Sequence, residues 1–536
     1  MIQVRKARRV GGWFTAAVVA AGAFTAISLS SGPAIAATTG TGTGYLHTSG
    51  NQILDSTGAT VRLTGINWFG METDNHTFHG LWAGRPATWT QQIDHMASLG
   101  YNTIRVPYTG SSIAAGATAT SINTDTNPDL IGLSPLQILD KVVGYAGGKG
   151  MRIILDRHRP TAAGQTALWN GAGVTEASEI ADWKALATRY ANNSTVVGAD
   201  LFNEPHADGT DPQGTGANWG GGDARDWRLA AERIGNAVLA TNPNWLIIVE
   251  GVSCNLPSGG TPNVWDNVAD DPMACDWWGG NLSLAGQFPV RLSVANRLVY
   301  SAHDYGISVY DHQPWFDTTA NPNFPANLPA VWDHFWGYLY KQNIAPVLVG
   351  EFGSTLADPR DTQWLKALMT YMGTGVNGIS FTYWSWNPDS GDTGGIVGDD
   401  WNTVNQAKQS IISPYLIPPV AGSTPTPSGS ASATTDPSAG TCSAVYSNVN
   451  AYSGGFQGQV NVTAGSSAIT RWTVTWTLAD GQAITQLWNG TLTTSGTGVS
   501  VKNLSYNGSL AAGASTSFGF NGSGSATTPA VACSTA

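Results

Sequence analysis

The stretch "GADLFNEPHA", residues 198–207, begins like a buried strand and ends in a carboxylate. Small and apolar residues run up to Phe202, and the polar sequence Asn203-Glu204-Pro205 follows at once. A plain turn would account for Asn203 and Pro205, with Glu204 merely solvated. The alternative is that Glu204 stands at the mouth of a barrel, where the carboxyl ends of parallel strands meet. The remaining strand-like segments favour the barrel.

Eight apolar segments rich in β-branched and aromatic residues are spread along the first 390 residues. They cover residues 62–70, 102–108, 152–158, 196–206, 246–251, 297–305, 345–353 and 378–387. Helical patterns such as "TWTQQIDHMASLG" and "TEASEIADWKALATRY" lie between several of them. Eight strands with helical crossovers predict a (β/α)8 TIM barrel, an α/β fold. An open doubly wound sheet is the alternative, but no G-x-G-x-x-G or phosphate-binding loop follows a strand.

Most of these segments end in polar or aromatic residues, which a barrel would gather in one mouth. These residues are Arg105, His158, Asn203, Glu204, His303, Tyr305, Glu351 and Trp384. Two carboxylates facing each other across a wet cleft suit glycoside hydrolysis, and Glu204 and Glu351 are the candidates. One would protonate the leaving oxygen, while the other attacks the anomeric carbon or activates water. Arg105 can hold one carboxylate ionised, and His303 and Tyr305 fall on one side of a strand end.

Composition limits the partners of the chain. Charged residues make up 11% of its 536 positions, against about 25% in typical soluble proteins. The formal net charge of −11 argues against nucleic acid, because a surface that follows phosphates is basic. It is compatible with a neutral polymer. We expect a monomer without cofactor or metal.

The N-terminus has the pattern of a secretory signal peptide covering residues 1–36. A basic start is followed by the apolar run "GGWFTAAVVAAGAFTAISL" and by the cleavage motif Ala34-Ile35-Ala36. A membrane anchor is the alternative, which the small residues and the cleavage motif disfavour. The pair Arg8-Arg9 leaves open a twin-arginine route. No other segment is apolar enough to span a bilayer, so the predicted location is extracellular.

All four cysteines lie in the exported part, where disulfides form readily. Four cysteines allow three pairings, and we favour Cys254–Cys275 and Cys442–Cys533. The first would close a local loop, and the second would join the ends of the last segment. A metal site is the alternative, but no C-x-x-C motif or nearby histidine supports it.

A segment rich in Pro, Ser, Thr, Gly and Ala, residues 417–440, separates two predicted domains. Nothing in it can build a core, so it should be an extended linker. Residues 37–416 then form the barrel, and residues 441–536 form a smaller domain. In "RWTVTWTL", residues 471–478, apolar side chains alternate with threonine, as in a strand buried on one face. Short strands and Gly/Asn turns predict an all-β sandwich there.

Seven segments at or near the predicted strand ends form a specific set: "GINWFG", "GYNTIRVPY", "DRHRP", "FNEPH", "YSAHDY", "GEFG" and "YWSWNPDSGDTGGI". Through these segments, residues 45 to about 416 resemble glycoside hydrolase family 5. This resemblance implies that Glu204 is the general acid/base and Glu351 the nucleophile of a retaining mechanism, and that Arg105 lies beside the nucleophile. It further implies that Asn203 contacts the sugar 2-hydroxyl, and that Trp384 is the platform at the cleavage point. His158, His303 and Tyr305 match the remaining positions of the pattern, and the insertion at 253–275 departs from it.

Other aromatic residues near the predicted cleft are candidates for sugar stacking. His79 and Trp82 follow the first strand, and Trp277-Trp278 follow the cysteine loop. Ordinary loop packing explains them as well. Asp389 and Asp392 belong to a Gly-rich turn rather than to an ion site.

Residues 441–534 resemble carbohydrate-binding module family 2, through "NAYSGGF", "QLWNG", "SYNGSLAAG", "FGFNG" and the terminal cysteine. The resemblance implies a flat aromatic strip for cellulose at Tyr452, Trp488 and Tyr506. The family more often has Trp at these places, so two smaller rings would weaken binding. The alternative places these rings in the core.

Taken with these two resemblances, the sequence predicts a secreted, retaining endo-β-1,4-glucanase anchored to cellulose or other β-1,4-glucans. A β-mannanase or another β-glucan hydrolase is the alternative within enzymes, because a family does not specify which sugar fills the cleft. A non-catalytic carbohydrate-binding protein is the alternative from another class, and the pair Glu204 and Glu351 argues against it.

Overall fold

The structure is a computed structural model that describes residues 40–207, 216–253, 277–420 and 442–535, apart from 453, 466, 505, 506, 511–514, 528 and 530. The chain divides into two compact units, Met1–Ser428 and Gly429–Ala536. The predicted signal peptide, the Cys254–Cys275 bridge and most of the predicted linker lie outside the described residues. No helix in the described ranges is long and apolar enough to cross a membrane.

The first unit begins with a small antiparallel sheet of three short strands. They are β1 (His47–Ser49), β2 (Gln52–Leu54) and β3 (Thr60–Val61). Ile53 and Val61 of this sheet share a buried apolar cluster with Ile154, Leu246 and other barrel residues. The sheet therefore closes one end of the barrel.

Eight parallel strands form the closed barrel that the sequence predicts. They are β4 (Thr64–Asn67), β5 (Thr103–Thr109), β6 (Arg152–Arg159), β7 (Val196–Asp200), β8 (Leu246–Glu250), β9 (Leu298–Tyr305), β10 (Val347–Gly353) and β11 (Ser380–Tyr383). Each pairs with its neighbours in chain order, and β11 pairs with β4 to close the ring. The (β/α)8 prediction is confirmed.

Helices surround the barrel, as crossovers between parallel strands require. In the described part of the chain they are α1 (Trp89–Ser98), α2 (Gly110–Ile113), α3 (Pro135–Gly148), α4 (Glu176–Arg189), α5 (Trp227–Thr241), α6 (Leu328–Trp332), α7 (Tyr338–Lys341), α8 (Pro359–Met372) and α9 (Gln406–Ile412). The local sequence determines where several of these helices begin. Thr88 with Gln91, and Ser134 with Gln137, form capping boxes that satisfy backbone N–H groups in the first turns of α1 and α3.

Alternation along the strands separates an apolar shell from a polar interior. In β8, Ile247 and Val249 belong to the core between strands and helices, while Leu246 and Ile248 face the barrel axis. Continuing this alternation places Glu250 inside the barrel, above Ile248. The interior is thus apolar at the closed end and polar at the carboxyl ends of the strands.

The second unit consists of two antiparallel sheets. Its strands are β12 (Cys442–Tyr452), β13 (Gly455–Ala464), β14 (Thr473–Thr477), β15 (Ala483–Trp488), β16 (Thr491–Ser495), β17 (Gly498–Lys502), β18 (Ser515–Ser523) and β19 (Ala532–Ser534). The sheet orders are β12-β13-β18-β15 and β16-β17-β14-β19. Val474 and Trp476 are buried, whereas Thr475 and Thr477 are exposed, as the alternating pattern predicts. The predicted Cys442–Cys533 disulfide is confirmed and joins the two sheets, with Cα atoms 5.6 Å apart.

Candidate active site

A cleft of about 540 Å³ opens at the carboxyl ends of the barrel strands. The predicted residues that line it are His158, Glu204, Trp277, Trp278, Tyr305, Glu351 and Trp384. Three further predicted residues, Arg105, Asn203 and His303, are buried and bonded to this group. The structure therefore brings together all eight strand-end residues that the sequence singles out.

Glu351 faces the barrel interior because its strand is irregular. Leu348 faces the axis, and Val349 and Phe352 pack against the helices. A register shift in the pairing of β10 with β9 falls between Val349 and Glu351. Such a bulge changes the alternation of a strand, so the Glu351 side chain points into the barrel.

The carboxylate of Glu351 is held by donors on both oxygens. Nη1 of Arg105 lies 2.5 Å from Oε1, and the hydroxyl of Tyr305 donates a 2.5 Å hydrogen bond to Oε2. Nδ1 of His303 lies 3.6 Å from Oε2. Burial raises the pKa of Glu351, while the positive charges of His303 and Arg105 act against this rise. The carboxylate is therefore oriented by its donors, and the two cations offset part of the rise in its pKa.

Glu204 follows β7 in a left-handed backbone conformation, with φ of 51°. Its backbone N–H donates a 2.7 Å hydrogen bond to Oε2 of Glu250. Its side chain is 17% exposed, against 3% for Glu351, and Oε1 lies 3.0 Å from Nδ1 of His303. Of the two carboxylates, Glu204 is the one more open to solvent and to a leaving group.

His303 connects the two carboxylates from below. Nδ1 contacts Glu204 and Glu351, and Nε2 lies 3.3 Å from Oε1 of Glu250. Burial acts to lower the pKa of His303, but Glu250 and Glu351 raise it well above its usual value. We conclude that the ring is an imidazolium in the folded protein.

Arg105 lies at the centre of the polar interior and is fully buried. Its guanidinium nitrogens contact side-chain oxygens of Asn67, Asp156, Asp200, Asn203, Glu250 and Glu351 at 2.5 to 3.1 Å. Burial would lower the pKa of Arg105, but the surrounding carboxylates raise it well above its usual value. A buried arginine with this many partners is a fixed positive charge beneath the reacting carboxylate.

His158 belongs to a stack of aromatic rings. Its ring and that of Trp384 are nearly parallel, with centroids 5.3 Å apart, and Phe69 stacks on Trp384 in the same way. Nδ1 of His158 is hydrogen-bonded to Asp156 at 2.6 Å. Burial lowers the pKa of His158 to about 4, so the ring is neutral near pH 7 and orients Trp384 by contact.

Four contributors to this site were not predicted. They are Asn67, Asp156, Asp200 and Glu250, all fully buried at or near strand ends. Their signal is present in the sequence, since "LIIVEG" at 246–251 also passes from apolar to acidic. Only the closed barrel shows that these side chains converge on Arg105.

Among the residues that the structure describes, three groups of His, Asp and Glu side chains place possible metal-ligating atoms within 4.8 Å of one another. They are Asp156–His158–Glu351, Glu204–His303–Glu351 and Asp156–Asp200–Glu250. In the third group the positive charge is supplied by Arg105, which forms ion pairs with all three carboxylates. The absence of a metal stays a prediction.

The predicted flanking aromatics lie on two sides of the site. Trp278 is 39% exposed and stacks on His206, with centroids 3.7 Å apart. His79 binds Asp389 of the cleft wall through Nδ1 at 2.8 Å. Trp82 packs against His79 and lines a neighbouring groove beside the main cleft.

The predicted strip of the second unit is described in part. Trp488 ends β15 and is paired with Gly519 of β18. A Cβ at Gly519 would lie 2.5 Å from the indole ring, so the ring covers this glycine. Tyr452 pairs with Gly455 at the end of β12, but its side chain and Tyr506 lie outside the described residues.

Comparisons with known proteins agree with this geometry. Residues 54–390 match the family model "Cellulase (glycosyl hydrolase family 5)", and residues 442–536 match "Cellulose binding domain". An endoglucanase of Paenibacillus polymyxa is 48% identical over 381 residues, which cover 70% of this chain and 88% of that protein. The major extracellular endoglucanase of Xanthomonas campestris is 40% identical over 392 residues, which cover 72% of this chain and 73% of that one.

A solved structure of an endocellulase from Pyrococcus horikoshii, in complex with cellotetraose, superposes with a TM-score of 0.63. It is 40% identical and covers 70% of this chain and 99% of that chain. The chain therefore belongs to glycosyl hydrolase family 5, the cellulase family, and carries a cellulose-binding domain after its barrel.

Proposed function

We propose that the chain is a retaining endo-β-1,4-glucanase that hydrolyses internal bonds of cellulose. One distance carries the retaining mechanism: a carboxylate oxygen of Glu204 and one of Glu351 lie within 4.8 Å of each other. Retaining enzymes place the two carboxyl groups about 5–5.5 Å apart, whereas inverting enzymes need about 6.5–9.5 Å to admit a water. The short separation supports a covalent intermediate.

In the first step Glu351 is the nucleophile. An oxygen of its carboxylate bonds to the anomeric carbon, and the glycosidic C–O bond breaks. Glu204 transfers its proton to the departing oxygen, so the leaving chain departs as a neutral alcohol. Arg105 and Tyr305 hold the carboxylate of Glu351 in place during this step.

In the second step Glu204 is the base. It takes a proton from a water whose oxygen bonds to the anomeric carbon, and the ester bond to Glu351 breaks. The configuration at the anomeric carbon is retained, because it has been inverted twice. Glu351 returns to its ionised form, which the neighbouring cations His303 and Arg105 stabilise.

The sugar at the cleavage point would rest on Trp384, whose ring is fixed by His158 and Phe69. Asn203 accepts a hydrogen bond from Arg105 through Oδ1 at 2.9 Å. Its side-chain amide nitrogen can then donate a hydrogen bond to the 2-hydroxyl of the sugar, and this contact strengthens in the transition state. Trp278 would carry a sugar on the leaving-group side.

The proposal that cellulose is the substrate rests on the cellulose-binding domain and on relatives that are named endoglucanases. We propose that Tyr452, Trp488 and Tyr506 anchor the enzyme on that polymer, and that it acts as an extracellular monomer. The signal peptide would be removed after Ala36. N-terminal sequencing of the exported protein should begin at Ala37, and a retained N-terminus would contradict secretion by this route.

The test of the mechanism is the anomer that forms first. ¹H NMR of hydrolysis should show the β-anomer appearing before mutarotation, and an initial α-anomer would overturn retention. Glu351→Gln should abolish hydrolysis of all substrates, whereas Glu204→Gln should retain more activity on aryl glycosides with acidic leaving groups. Equal losses on both kinds of substrate would mean that the roles are assigned wrongly.

The test of specificity is the product profile on cellulose, mannan and xyloglucan. An endoglucanase should lower the viscosity of a soluble β-1,4-glucan long before many reducing ends appear. Faster release of sugars from mannan than from glucan would replace the proposed substrate.

A further inference from the structure

We propose that Glu250, at the carboxyl end of β8, is a positioning residue for the acid/base side of the active site. The inference rests on the proposed roles of Glu204 and Glu351. The Glu250 side chain is fully buried beneath the cleft and does not line it. It therefore acts through the residues that it holds and not through the sugar.

The first contact of Glu250 is with the backbone of Glu204. The N–H of Glu204 donates a 2.7 Å hydrogen bond to Oε2 of Glu250. Glu204 has a φ of 51°, in a region that residues other than glycine seldom occupy. A buried carboxylate is a strong acceptor for an amide, so Glu250 holds the turn from which the Glu204 side chain projects.

The second contact reaches the Glu204 side chain through His303. Oε1 of Glu250 lies 3.3 Å from Nε2 of His303, and Nδ1 of the same ring lies 3.0 Å from Oε1 of Glu204. A carboxylate on the far side of an imidazole orients the ring and favours its protonated form. Glu250 thus controls both the backbone and the hydrogen-bond partner of Glu204.

The nucleophile depends on Glu250 much less. One link is Nη2 of Arg105, which lies 3.0 Å from Oε1 of Glu250. The other is His303, whose Nδ1 lies 3.6 Å from Oε2 of Glu351 but 3.0 Å from Oε1 of Glu204. Glu351 also keeps the hydrogen bond from Tyr305 when Glu250 is removed. Arg105 has further partners that remain when Glu250 is removed: Asn67, Asp156, Asp200, Asn203 and Glu351. Loss of Glu250 should therefore impair proton transfer by Glu204 more than attack by Glu351.

This asymmetry can be measured with aryl β-cellobiosides of graded leaving-group acidity. Glu250→Gln keeps the size of the side chain and removes its charge. We expect kcat/KM to fall about 10- to 100-fold for weakly acidic phenols, the range expected for loss of a charged hydrogen bond. For dinitrophenol, which needs little protonation, kcat/KM should stay close to that of the unmodified enzyme. A uniform loss across the series would overturn the proposal.

Azide gives a second readout on the dinitrophenyl substrate. With this substrate the first step is fast, and the rate of turnover is limited by the second step, in which Glu204 activates water. Azide attacks the anomeric carbon without giving up a proton, the ester bond to Glu351 breaks, and a β-glycosyl azide forms. Azide should raise kcat of Glu250→Gln and leave that of the unmodified enzyme unchanged. No increase for Glu250→Gln would contradict the inference.

Two control variants separate the possible causes. Glu179→Gln removes another fully buried carboxyl, on α4 outside the barrel, and should show the unmodified leaving-group dependence and no azide effect. Glu204→Ala should show both effects strongly. If it shows neither, the proposed role of Glu204 fails and the inference fails with it. If Glu204→Ala shows both the steeper leaving-group dependence and the azide effect, while Glu250→Gln behaves like Glu179→Gln, only the inference about Glu250 fails.

Thermal unfolding of each variant checks the fold. If Glu250→Gln does not fold, Glu250→Asp takes its place, since it keeps the charge and withdraws the carboxylate by one methylene. We expect the kcat/KM of Glu250→Asp to depend more steeply on leaving-group acidity than that of the unmodified enzyme, but less steeply than that of Glu250→Gln. An unchanged slope in a folded Glu250→Asp variant would overturn the proposal.

Discussion

The hydroxyl of Tyr305 donates a 2.5 Å hydrogen bond to Oε2 of Glu351. The two residues lie on neighbouring barrel strands, so the contact is fixed by the pairing of β9 with β10. Burial, followed by the charge of Glu351, raises the pKa of Tyr305 well above its usual value. The phenol therefore keeps its proton near neutral pH, and it remains a donor.

Tyr305→Phe should lower kcat on a soluble β-1,4-glucan by about tenfold, because a neutral donor to a charged partner contributes roughly 1.5 kcal/mol. KM should change little, since the hydroxyl contacts the nucleophile and not the outer sugars. Steady-state kinetics measure both. Tyr101→Phe is the matched control, because its buried hydroxyl binds Gln409 away from the cleft. A kcat for Tyr305→Phe equal to that of this control would contradict the role.

Glu179 should make stability depend on pH. Burial raises its pKa to about 8, and the nearby Arg157 only partly offsets this. The folded state then holds a proton that the unfolded chain releases above its ordinary value of 4.5. The stabilisation is complete below about pH 4.5 and is lost as the pH rises towards 8.

The measurement is urea unfolding at several pH values, followed by tryptophan fluorescence. Compared with Glu179→Gln, the unmodified protein should lose stability steadily between pH 4.5 and 8, with a slope of at most about 1.4 kcal/mol per pH unit. A difference between the two proteins that is independent of pH would show that the carboxyl is ionised in the folded state.

The Cys442–Cys533 disulfide should stabilise the second unit alone. The cysteines are 91 residues apart, and closing a loop of that length contributes about 4–5 kcal/mol in the chain-entropy model. A variant with both cysteines changed to alanine should release insoluble cellulose at lower temperature, measured by pull-down. Its activity on soluble glucan should not change, and a loss there would mean that the barrel also depends on the bridge.

The second unit should matter only on insoluble substrate. Deleting residues 441–536 should leave turnover on soluble glucan nearly intact and lower both binding and hydrolysis of insoluble cellulose, because the anchor raises local substrate concentration. Trp488→Ala should reproduce much of this loss, whereas Val445→Ala, at an exposed position of β12 in the same sheet, should not. Equal losses on soluble and insoluble glucan would mean that the unit supports the barrel.

The amino-acid sequence by itself determines the barrel, the β-sheet unit and the positions of Glu204 and Glu351. These features are local: a buried strand is apolar, a helix start has a cap, and the residue that ends a parallel strand faces the barrel mouth. The sequence also indicates which cysteines of the last segment pair, because one segment carries both. For these features the order of residues along the chain is sufficient information.

Only the tertiary structure decides how the site is held together. Glu250 is the acidic residue that ends the apolar run of "LIIVEG", but only the folded barrel places it beside β9 and within 3.0 Å of Arg105. The direction of Glu351 depends on a bulge that alternation along the sequence does not show. The left-handed backbone of Glu204 is likewise stabilised by Glu250, 46 residues away. Contacts between distant strands depend on three-dimensional distance, which spacing along the chain does not specify.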